Sequence, residues 1–242
     1  MKTVALIPAR YAATRFPAKL MQVLGNKTVI RHTYDNVKAT GLFDEVIVAT
    51  DSEIIFKEIT DNGGIAKMTF GNHESGSDRI AEVARDMNVD VIVNVQGDTP
   101  FVNQESLQEI IDLFKDKNVQ VASMMQELKE EQFISDPNYV KVVVDKKMNS
   151  LMFSRSVIPY PRSKDEKISY YEHIGVYAFR KQALLDFTNW EMTPLERAEK
   201  IECLRYLENG IALKMIIVNG VGVEIDTPED LQRASISFSE NI

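Results

Sequence analysis

Three basic side chains near the amino terminus have the types and spacing to bind a triphosphate together. They are Arg10, Arg15 and Lys19, and no acidic residue lies among them. The apolar run 4–7 before them carries no charge, which predicts a strand buried on both faces that Pro8 closes. Ligands of open α/β sheets bind beyond the carboxyl ends of such strands, where backbone amides and cations suit phosphate. An ordinary basic surface loop is the alternative, because the stretch matches neither GxGxxG nor GxxxxGK[ST].

One aspartate stands where a metal on such phosphates would need a ligand, and a second aspartate precedes the last helix. Asp98 follows the stretch 90–95, which predicts another buried strand, and Asp226 precedes Thr227, a suitable cap for the last helix. The carboxyl end of a parallel strand faces the same crevice as the basic loop, and Mg²⁺ prefers hard oxygen ligands. Aspartate is also a common turn residue, so the residues alone leave a purely structural role open for both.

The stretch 73–87 predicts a helix whose first backbone amides are free. Ser75 and Asp78 have the spacing of a capping box, and Gly76 lies between them. An ordinary capped helix explains this pattern completely. The residues alone therefore do not decide whether a ligand binds at these amides.

Two polar side chains further along have the spacing of one strand face. His173 and Tyr177 are four residues apart in an extended segment, so both point to the same side and could converge on one ligand. A structural histidine that bonds to the backbone is the alternative interpretation.

A long helix is predicted over residues 194–209, with proline at its start and Gly210 beyond its end. Glu202 and Arg205 are three residues apart on this helix. They could simply form a solvent-exposed ion pair.

The elements that must position these groups alternate between strand and helix through the first half of the chain. This order predicts a parallel sheet with right-handed crossovers. From Tyr139 two strands flank the turn-forming residues 146–150, which predicts a hairpin instead. We expect an α/β fold: a Rossmann-like, mostly parallel sheet flanked by helices, in a single domain of residues 1–242 with a β-rich subdomain at 137–192.

The composition narrows the class of partners. The chain has 242 residues and a net charge of −8, which argues against general binding to nucleic acid or to anionic membranes. No stretch approaches the roughly 20 apolar residues that span a bilayer, and we expect a soluble cytoplasmic protein. The single cysteine, Cys203, excludes an intramolecular disulfide and a CxxC metal site.

Seven motifs in order resemble those of one family, the 3-deoxy-manno-octulosonate cytidylyltransferases (CMP-KDO synthetases) among the sugar-activating nucleotidyltransferases. They are IPARYAATRFPAK, HESGSDRIAEV, NVQGDTPFV, SLMFSRSVIPYPR, YYEHIGVYAFR, TPLERAEKIECLRYLENG and EIDTPEDL. Because they occur at the spacing of the family, the resemblance covers essentially the whole chain. It implies a nucleotide-diphospho-sugar transferase fold and a Mg²⁺-dependent transfer of CMP from CTP to a keto-sugar acid, for lipopolysaccharide biosynthesis.

The resemblance also implies roles for individual residues. Catalysis is expected of Arg10, Lys19, Asp98 and Asp226, with Mg²⁺ on the two aspartates. The nucleotide is expected at Ala9, Arg10, Arg15, Lys19, Ser75, Gly76, Arg79 and Gln96. The sugar acid is expected at Gln96, Arg155, His173, Tyr177, Glu202 and Cys203.

The chain departs from the family pattern at four positions. Ala18 replaces the usual glycine, Leu20 a proline, Thr99 an acidic residue and Cys203 a glutamine. Without glycine at position 18, we expect a slightly different path of the loop, because alanine avoids positive φ. A thiol does not reproduce the hydrogen bonds of an amide, so an 8-amino or sialic-acid-like sugar is an alternative substrate.

Two further alternatives concern function and assembly. A nucleotidyltransferase for another base, or a catalytically silent nucleotide-sensing module, could use the same sheet. The resemblance implies a homodimer, and Met152, Phe153 and Tyr160 in the hairpin region are the apolar residues expected at its interface.

Overall fold

The computed structural model describes residues 1–12, 16–71, 73–163, 165, 167–219 and 224–240. The chain divides into two compact units, Met1–Gln108 with Gly220–Ile242, and Glu109–Asn219. Arg15 lies outside the described residues. None of the helices in the described ranges is both long and apolar enough to cross a membrane.

Strands and helices alternate through the first unit and become irregular in the second. The strands are β1 (Thr3–Ala9), β2 (Val23–Leu24), β3 (Lys27–Thr28), β4 (Glu45–Thr50), β5 (Ala66–Met68), β6 (Val91–Asn94), β7 (Val121–Leu128), β8 (Lys141–Val144), β9 (Ser150–Ser154), β10 (Tyr170–Arg180) and β11 (Lys214–Ile217). The α-helices are α1 (Val29–Ala39), α2 (Glu53–Thr60), α3 (Gly76–Arg85), α4 (Gln104–Asp112), α5 (Glu131–Ser135), α6 (Lys181–Asn189), α7 (Pro194–Glu199), α8 (Leu204–Glu208) and α9 (Pro228–Glu240). Short 3₁₀ helices occur at Lys19–Met21 and Leu113–Lys115.

The first unit contains a parallel sheet with β1 at its centre. β6 and β4 pair in parallel with β1 on either side, and β5 pairs in parallel with β4. Every residue of β1 is buried, as the uncharged run at its start predicts. The predicted parallel arrangement is therefore confirmed for this unit.

Proline does not close β1. Pro8 lies opposite Ala49 of β4, and the strand continues to Ala9. The reason is that β6 pairs only with Thr3 to Leu6, so the missing N–H of the proline costs no hydrogen bond on that side.

Side chains cap two helix starts in the first unit, and the sequence analysis predicts the second of these caps. The hydroxyl of Thr28 accepts a hydrogen bond from the amide of Arg31 at the start of α1. At α3, Ser75 and Asp78 form both hydrogen bonds of a capping box.

The second unit contains the predicted hairpin. β8 and β9 pair antiparallel, β8 pairs antiparallel with β10, and β10 pairs antiparallel with β7. β11 joins β7 in parallel. The predicted subdomain at 137–192 lies within this unit, and its boundaries remain a prediction.

The single helix predicted over 194–209 is instead two helices, α7 and α8. Lys200 ends α7 in the left-handed region, with φ 55°. Arg205 is not in an exposed pair with Glu202 but is 5% exposed and forms a bidentate ion pair with Glu196, at 2.7 Å from Nε and 2.6 Å from Nη2. This pair spans nine residues and joins the two helices, whereas the expected exposed pair with Glu202 spans three.

Ala18 adopts the backbone conformation that the sequence analysis expected it to avoid. Its φ is 52° and its ψ is 32°, at the start of the Lys19–Met21 helix. Leu20, in the following turn, is buried and anchors this conformation. An alanine in the left-handed region costs about 1–2 kcal/mol, so the loop keeps its path at the expense of strain.

We predict that Ala18→Gly raises the free energy of unfolding by about 1 kcal/mol, because glycine removes this strain but gains freedom in the unfolded chain. Urea denaturation measures the change. Ala39→Gly at the end of α1 is the control, and it should lower stability because Ala39 is helical. Equal destabilisation by both substitutions would contradict the strain at Ala18.

Candidate active site

A cavity of about 210 Å³ lies at the carboxyl end of β1 in the first unit. It is lined by all the described residues that the sequence analysis assigned to the nucleotide, namely Ala9, Arg10, Lys19, Ser75, Gly76, Arg79 and Gln96, and by Asp98. Residues from β1, the Lys19–Met21 helix, the start of α3 and the turn after β6 therefore meet as the sheet topology requires.

Lys19 stands between the two aspartates. Its Nζ forms an ion pair with Asp98 and lies 2.7 Å from Oδ1 of Asp226. Burial opposes the charge of Lys19, but the two carboxylates outweigh burial and raise the pKa of Lys19. The ammonium group therefore stays charged at neutral pH and neutralises part of the acidic pair.

Backbone contacts bring the two aspartates together. The amide of Ile225 donates to the carbonyl of Asp98 at 3.0 Å. Asp230, in the first turn of α9, accepts hydrogen bonds from the amides of Asp226 and Thr227 at 3.1 and 2.8 Å. The chain just before α9 is thus fixed on the turn after β6.

The turn that carries Asp98 requires glycine at position 97. A Cβ there would lie 3.1 Å from the carbonyl oxygen of Pro8 and 3.0 Å from Cδ1 of Ile30. The hydroxyl of Thr33 in α1 also donates to the carbonyl of Gly97 at 2.9 Å. The close approach of this turn to β1 and α1 sets the position of the Asp98 carboxylate.

The carboxylates suit a divalent cation that is shared with a phosphate ligand. Oδ1 of Asp98 is buried and has no hydrogen-bond partner in the part of the chain that the structure describes. No group of three or more His, Cys, Asp or Glu side chains with metal-site geometry occurs among the described residues. Mg²⁺ commonly binds through one or two carboxylates plus substrate phosphates, so the donor set fits that mode.

Besides Lys19, the structure describes two basic residues that are predicted to bind the nucleotide, and their surroundings differ. Arg10 is exposed. Arg79 is 6% exposed and donates to Asp51 at 2.7 Å and to the hydroxyl of Thr69 at 2.6 Å. The structure therefore uses the Arg79 guanidinium to hold α3 against the ends of β4 and β5, and its contact with a nucleotide remains a prediction.

The sequence analysis did not single out His73, a further polar side chain of this cavity. It lines the cavity, and its Nε2 lies 2.8 Å from Oε2 of Glu82. The signal was present, because His73 is the first residue of the motif HESGSDRIAEV.

In the second unit, His173 and Tyr177 lie side by side as predicted. Their ring centroids are 5.3 Å apart, and they pair with Met125 and Ser123, which are two residues apart on β7. Nε2 of His173 lies 3.0 Å from the hydroxyl of Ser123. Burial lowers the pKa of His173 to about 4, so the imidazole is neutral at physiological pH.

Cys203 is a buried partner of Tyr177. The cysteine is 1% exposed, and its thiol lies within hydrogen-bonding reach of the Tyr177 phenol. Burial, with the nearby Glu202, raises the pKa of both groups well above the usual values. Both groups are therefore neutral at physiological pH.

Arg155 is tied to the protein backbone. Its guanidinium donates to the carbonyls of Glu199 at 2.7 Å and of Pro137 at 2.9 Å, and its amide donates to the Glu199 carboxylate at 3.0 Å. These contacts fasten β9 to the end of α7. Its expected role at a sugar carboxylate remains a prediction.

Comparison with known proteins finds cytidylyltransferases as relatives of this chain. Residues 4–217 match the family model described as cytidylyltransferase. The chain is 57% identical over 237 residues to the 3-deoxy-manno-octulosonate cytidylyltransferase of Flavobacterium johnsoniae, with 97% of each chain covered. It is 50% identical to the enzyme of the same name from Christiangramia forsetii, with 96% of this chain and 95% of that one covered.

Solved structures of two other proteins resemble this fold. A structure titled CMP:2-keto-3-deoxy-manno-octonic acid synthetase complexed with CTP has a TM-score of 0.95 and 33% identity, with all of both chains covered. The 4-diphosphocytidyl-2C-methyl-D-erythritol synthase of Anaerococcus prevotii, at 16% identity and a TM-score of 0.66 with 98% of each chain covered, shares the fold. The expected α/β fold with a mostly parallel sheet flanked by helices is confirmed.

We predict that Cys203→Ala lowers the free energy of unfolding by about 1–3 kcal/mol, because it leaves the buried Tyr177 phenol without a partner. Adding Tyr177→Phe should cost little more, since the phenol is then absent. Urea denaturation of the single and double variants measures this coupling. Cys203→Ser is the matched control, and additive losses in the double variant would contradict the hydrogen bond.

Proposed function

This chain belongs to the cytidylyltransferase family, and from that membership we propose that it activates 3-deoxy-manno-octulosonate with CTP. The products are the CMP-linked sugar acid and pyrophosphate. The names of both relatives and of the CTP-complexed structure support this reaction. The observation that carries it in this chain is Lys19, ion-paired between Asp98 and Asp226 in a cavity at the carboxyl end of β1.

In the reaction, the anomeric hydroxyl of the sugar acid attacks the α-phosphorus of CTP, and the bond to pyrophosphate breaks. Such transfers depend mainly on positioning and on neutralisation of charge. Arg10, which is exposed at the cavity, binds the phosphates. Lys19 keeps its charge because its carboxylate neighbours raise its pKa, and it stabilises the negative charge of the leaving pyrophosphate.

We propose Mg²⁺ as the cofactor, held by Asp98 and Asp226. The buried Oδ1 of Asp98, which has no hydrogen-bond partner among the described residues, supports this assignment. When bound, Mg²⁺ would offset phosphate charge and lower the pKa of the attacking hydroxyl. With an ion held by Asp98 and Asp226, the ammonium group of Lys19 would be available to the phosphates.

For the sugar acid we propose the group in the second unit formed by His173, Tyr177, Glu202 and Cys203, with Arg155 as a fixed cation. Glu202 supplies the carboxylate that accepts from sugar hydroxyls. Neutral His173 hydrogen-bonds without adding charge. Gln96 lines the cavity of the first unit, where we propose it as a ligand of CTP.

A related keto-sugar acid is the second candidate substrate. Cys203 favours this substrate. Its thiol lies beside Tyr177 and cannot form the hydrogen bonds of the glutamine amide that the family usually has at this position. The presence of both aspartates argues against a silent nucleotide-sensing module. CTP is a cytoplasmic nucleotide, so we place the reaction in the cytoplasm and propose lipopolysaccharide assembly as the use of the product.

We also propose a homodimer through the hairpin region of the second unit. Tyr160 is 81% exposed and Leu151 is 61% exposed, as expected of apolar residues that a partner covers. Phe153, one of the expected interface residues, is fully buried within the monomer because it packs against His173, so it is not part of this surface.

We predict that Asp98→Asn lowers turnover at least about tenfold, because it removes one of the charges that hold the metal. Pyrophosphate release from CTP and 3-deoxy-manno-octulosonate in the presence of Mg²⁺ measures this. Asp90→Asn is the control, since Asp90 accepts from the Lys2 amide just before β6, at the opposite end of the strand from Asp98. Unchanged turnover in Asp98→Asn would remove the metal assignment.

The substrate is tested by the same assay with the 8-amino analogue and with a sialic acid. Release with 3-deoxy-manno-octulosonate alone supports the proposal as stated. If pyrophosphate is released only with another sugar acid, the proposed reaction type stands and that sugar acid is the substrate.

The dimer is tested by sedimentation at micromolar concentration. We predict that Leu151→Glu combined with Tyr160→Glu converts a dimer into a monomer, because it places charge on the covered apolar surface. Ile236→Glu, at an exposed position of α9 in the first unit, is the control and should leave the dimer intact. A wild-type chain that sediments only as a monomer would contradict the proposal.

A further inference from the structure

A buried serine on β7 contacts three polar groups of β10 at once. The Oγ atom of Ser123 lies 2.8 Å from the carbonyl oxygen of Val176, 3.2 Å from that of Ile174 and 3.0 Å from Nε2 of His173. The serine side chain is fully buried. Loss of such a hydroxyl leaves several buried polar groups without a partner, so its contacts matter for the local structure.

These contacts lie where β10 bulges. The pairing of β10 with β7 runs as far as Ile174 and resumes at Tyr177, so residues 175–176 are passed over. In a regular antiparallel strand, positions four residues apart are separated by about 14 Å along the strand. Across this bulge, the ring centroids of His173 and Tyr177 are instead 5.3 Å apart. The two rings therefore meet because of the bulge, and the hydroxyl of Ser123 holds its carbonyls.

The same contacts determine which nitrogen of His173 carries the proton. A serine hydroxyl has one proton, and carbonyl oxygens only accept hydrogen bonds. Ser123 therefore donates to the bulge carbonyls, of which that of Val176 is the nearer, and accepts from the imidazole. Burial lowers the pKa of His173 to about 4, so the ring is neutral and has a single N–H group. That proton is on Nε2, which leaves a lone pair on Nδ1.

We propose that Ser123 is a positioning residue of the sugar-acid site, which sets His173 beside Tyr177 and keeps the ring proton on Nε2. The inference rests on the proposed function, because it takes the group around His173 as the site of the sugar acid. Hydroxyl groups of a sugar donate hydrogen bonds, and a ring with a lone pair on Nδ1 is an acceptor for them. Ser123 acts through His173 and touches no substrate.

Nitrogen NMR of the chain labelled with ¹⁵N-histidine measures the tautomer, because a ring nitrogen with a proton and one without differ widely in chemical shift. The chain has three histidines, and His173→Gln assigns the signals of His173. At neutral pH without substrates, the wild-type chain and Ser123→Thr, which keeps the hydroxyl, should carry the proton on Nε2. In Ser123→Ala the proton should be shared between the two nitrogens.

Steady-state release of pyrophosphate measures the consequence for the substrates. Ser123→Ala should raise the KM for 3-deoxy-manno-octulosonate about tenfold, which corresponds to the loss of about one hydrogen bond. The KM for CTP should stay unchanged, because the proposed CTP site is in the first unit. Ser123→Thr should restore the KM for the sugar acid.

Ser150→Ala is the matched control. Ser150 is a buried serine on β9 of the same unit, and its hydroxyl accepts from the amide of Leu213 at 2.9 Å. Its substitution should lower the free energy of unfolding but change neither the tautomer of His173 nor either KM.

A ring proton on Nδ1 in the wild-type chain would overturn the inference, and this result needs no variant to fold. In a folded Ser123→Ala chain, an unchanged tautomer or an unchanged KM for the sugar acid would also overturn it. Because the tautomer is measured without substrates, it is independent of turnover. A chain that shows the expected tautomers but releases no pyrophosphate with any keto-sugar acid would contradict the proposed function alone.

Discussion

A lysine held between two aspartates is the interaction on which the rest of the site depends. Lys19 joins Asp98 and Asp226, which are 79 and 207 residues away along the chain. Two carboxylates so close together would repel each other without a cation between them. The raised pKa of Lys19 shows that their attraction outweighs the cost of its burial. The site thus holds its acidic pair in place with one ammonium charge.

The sheet of the first unit places these charged groups at one edge. β1 and β6 are parallel neighbours, so Lys19 and Asp98, which follow them, emerge on the same side. Gly97 lets the turn after β6 approach Pro8 closely, and the hydrogen bond from Ile225 to Asp98 brings in Asp226. The positions of the charges therefore follow from backbone packing rather than from the charged side chains themselves.

Local patterns predicted most elements, and long-range contacts account for the errors. The uncharged run of β1, the capping box of Ser75 and the hairpin after Tyr139 all depend on neighbouring residues, and all were predicted correctly. The break between α7 and α8 depends on the burial of Arg205 against Glu196, which no local period encodes. The order and spacing of the motifs predict the nucleotide-binding residues. The pairing of Lys19 with both aspartates, in contrast, is seen only in the folded chain.

Lys19 and a divalent metal should compete for the two aspartates, and Mn²⁺ binding, followed by electron paramagnetic resonance, measures this competition. The wild-type chain is expected to bind Mn²⁺ weakly until CTP is added, because Lys19 occupies the carboxylates. Lys19→Met should bind Mn²⁺ without nucleotide, and adding Asp98→Asn should abolish that binding. Mn²⁺ binding that is the same in all three chains, with and without CTP, would contradict the account.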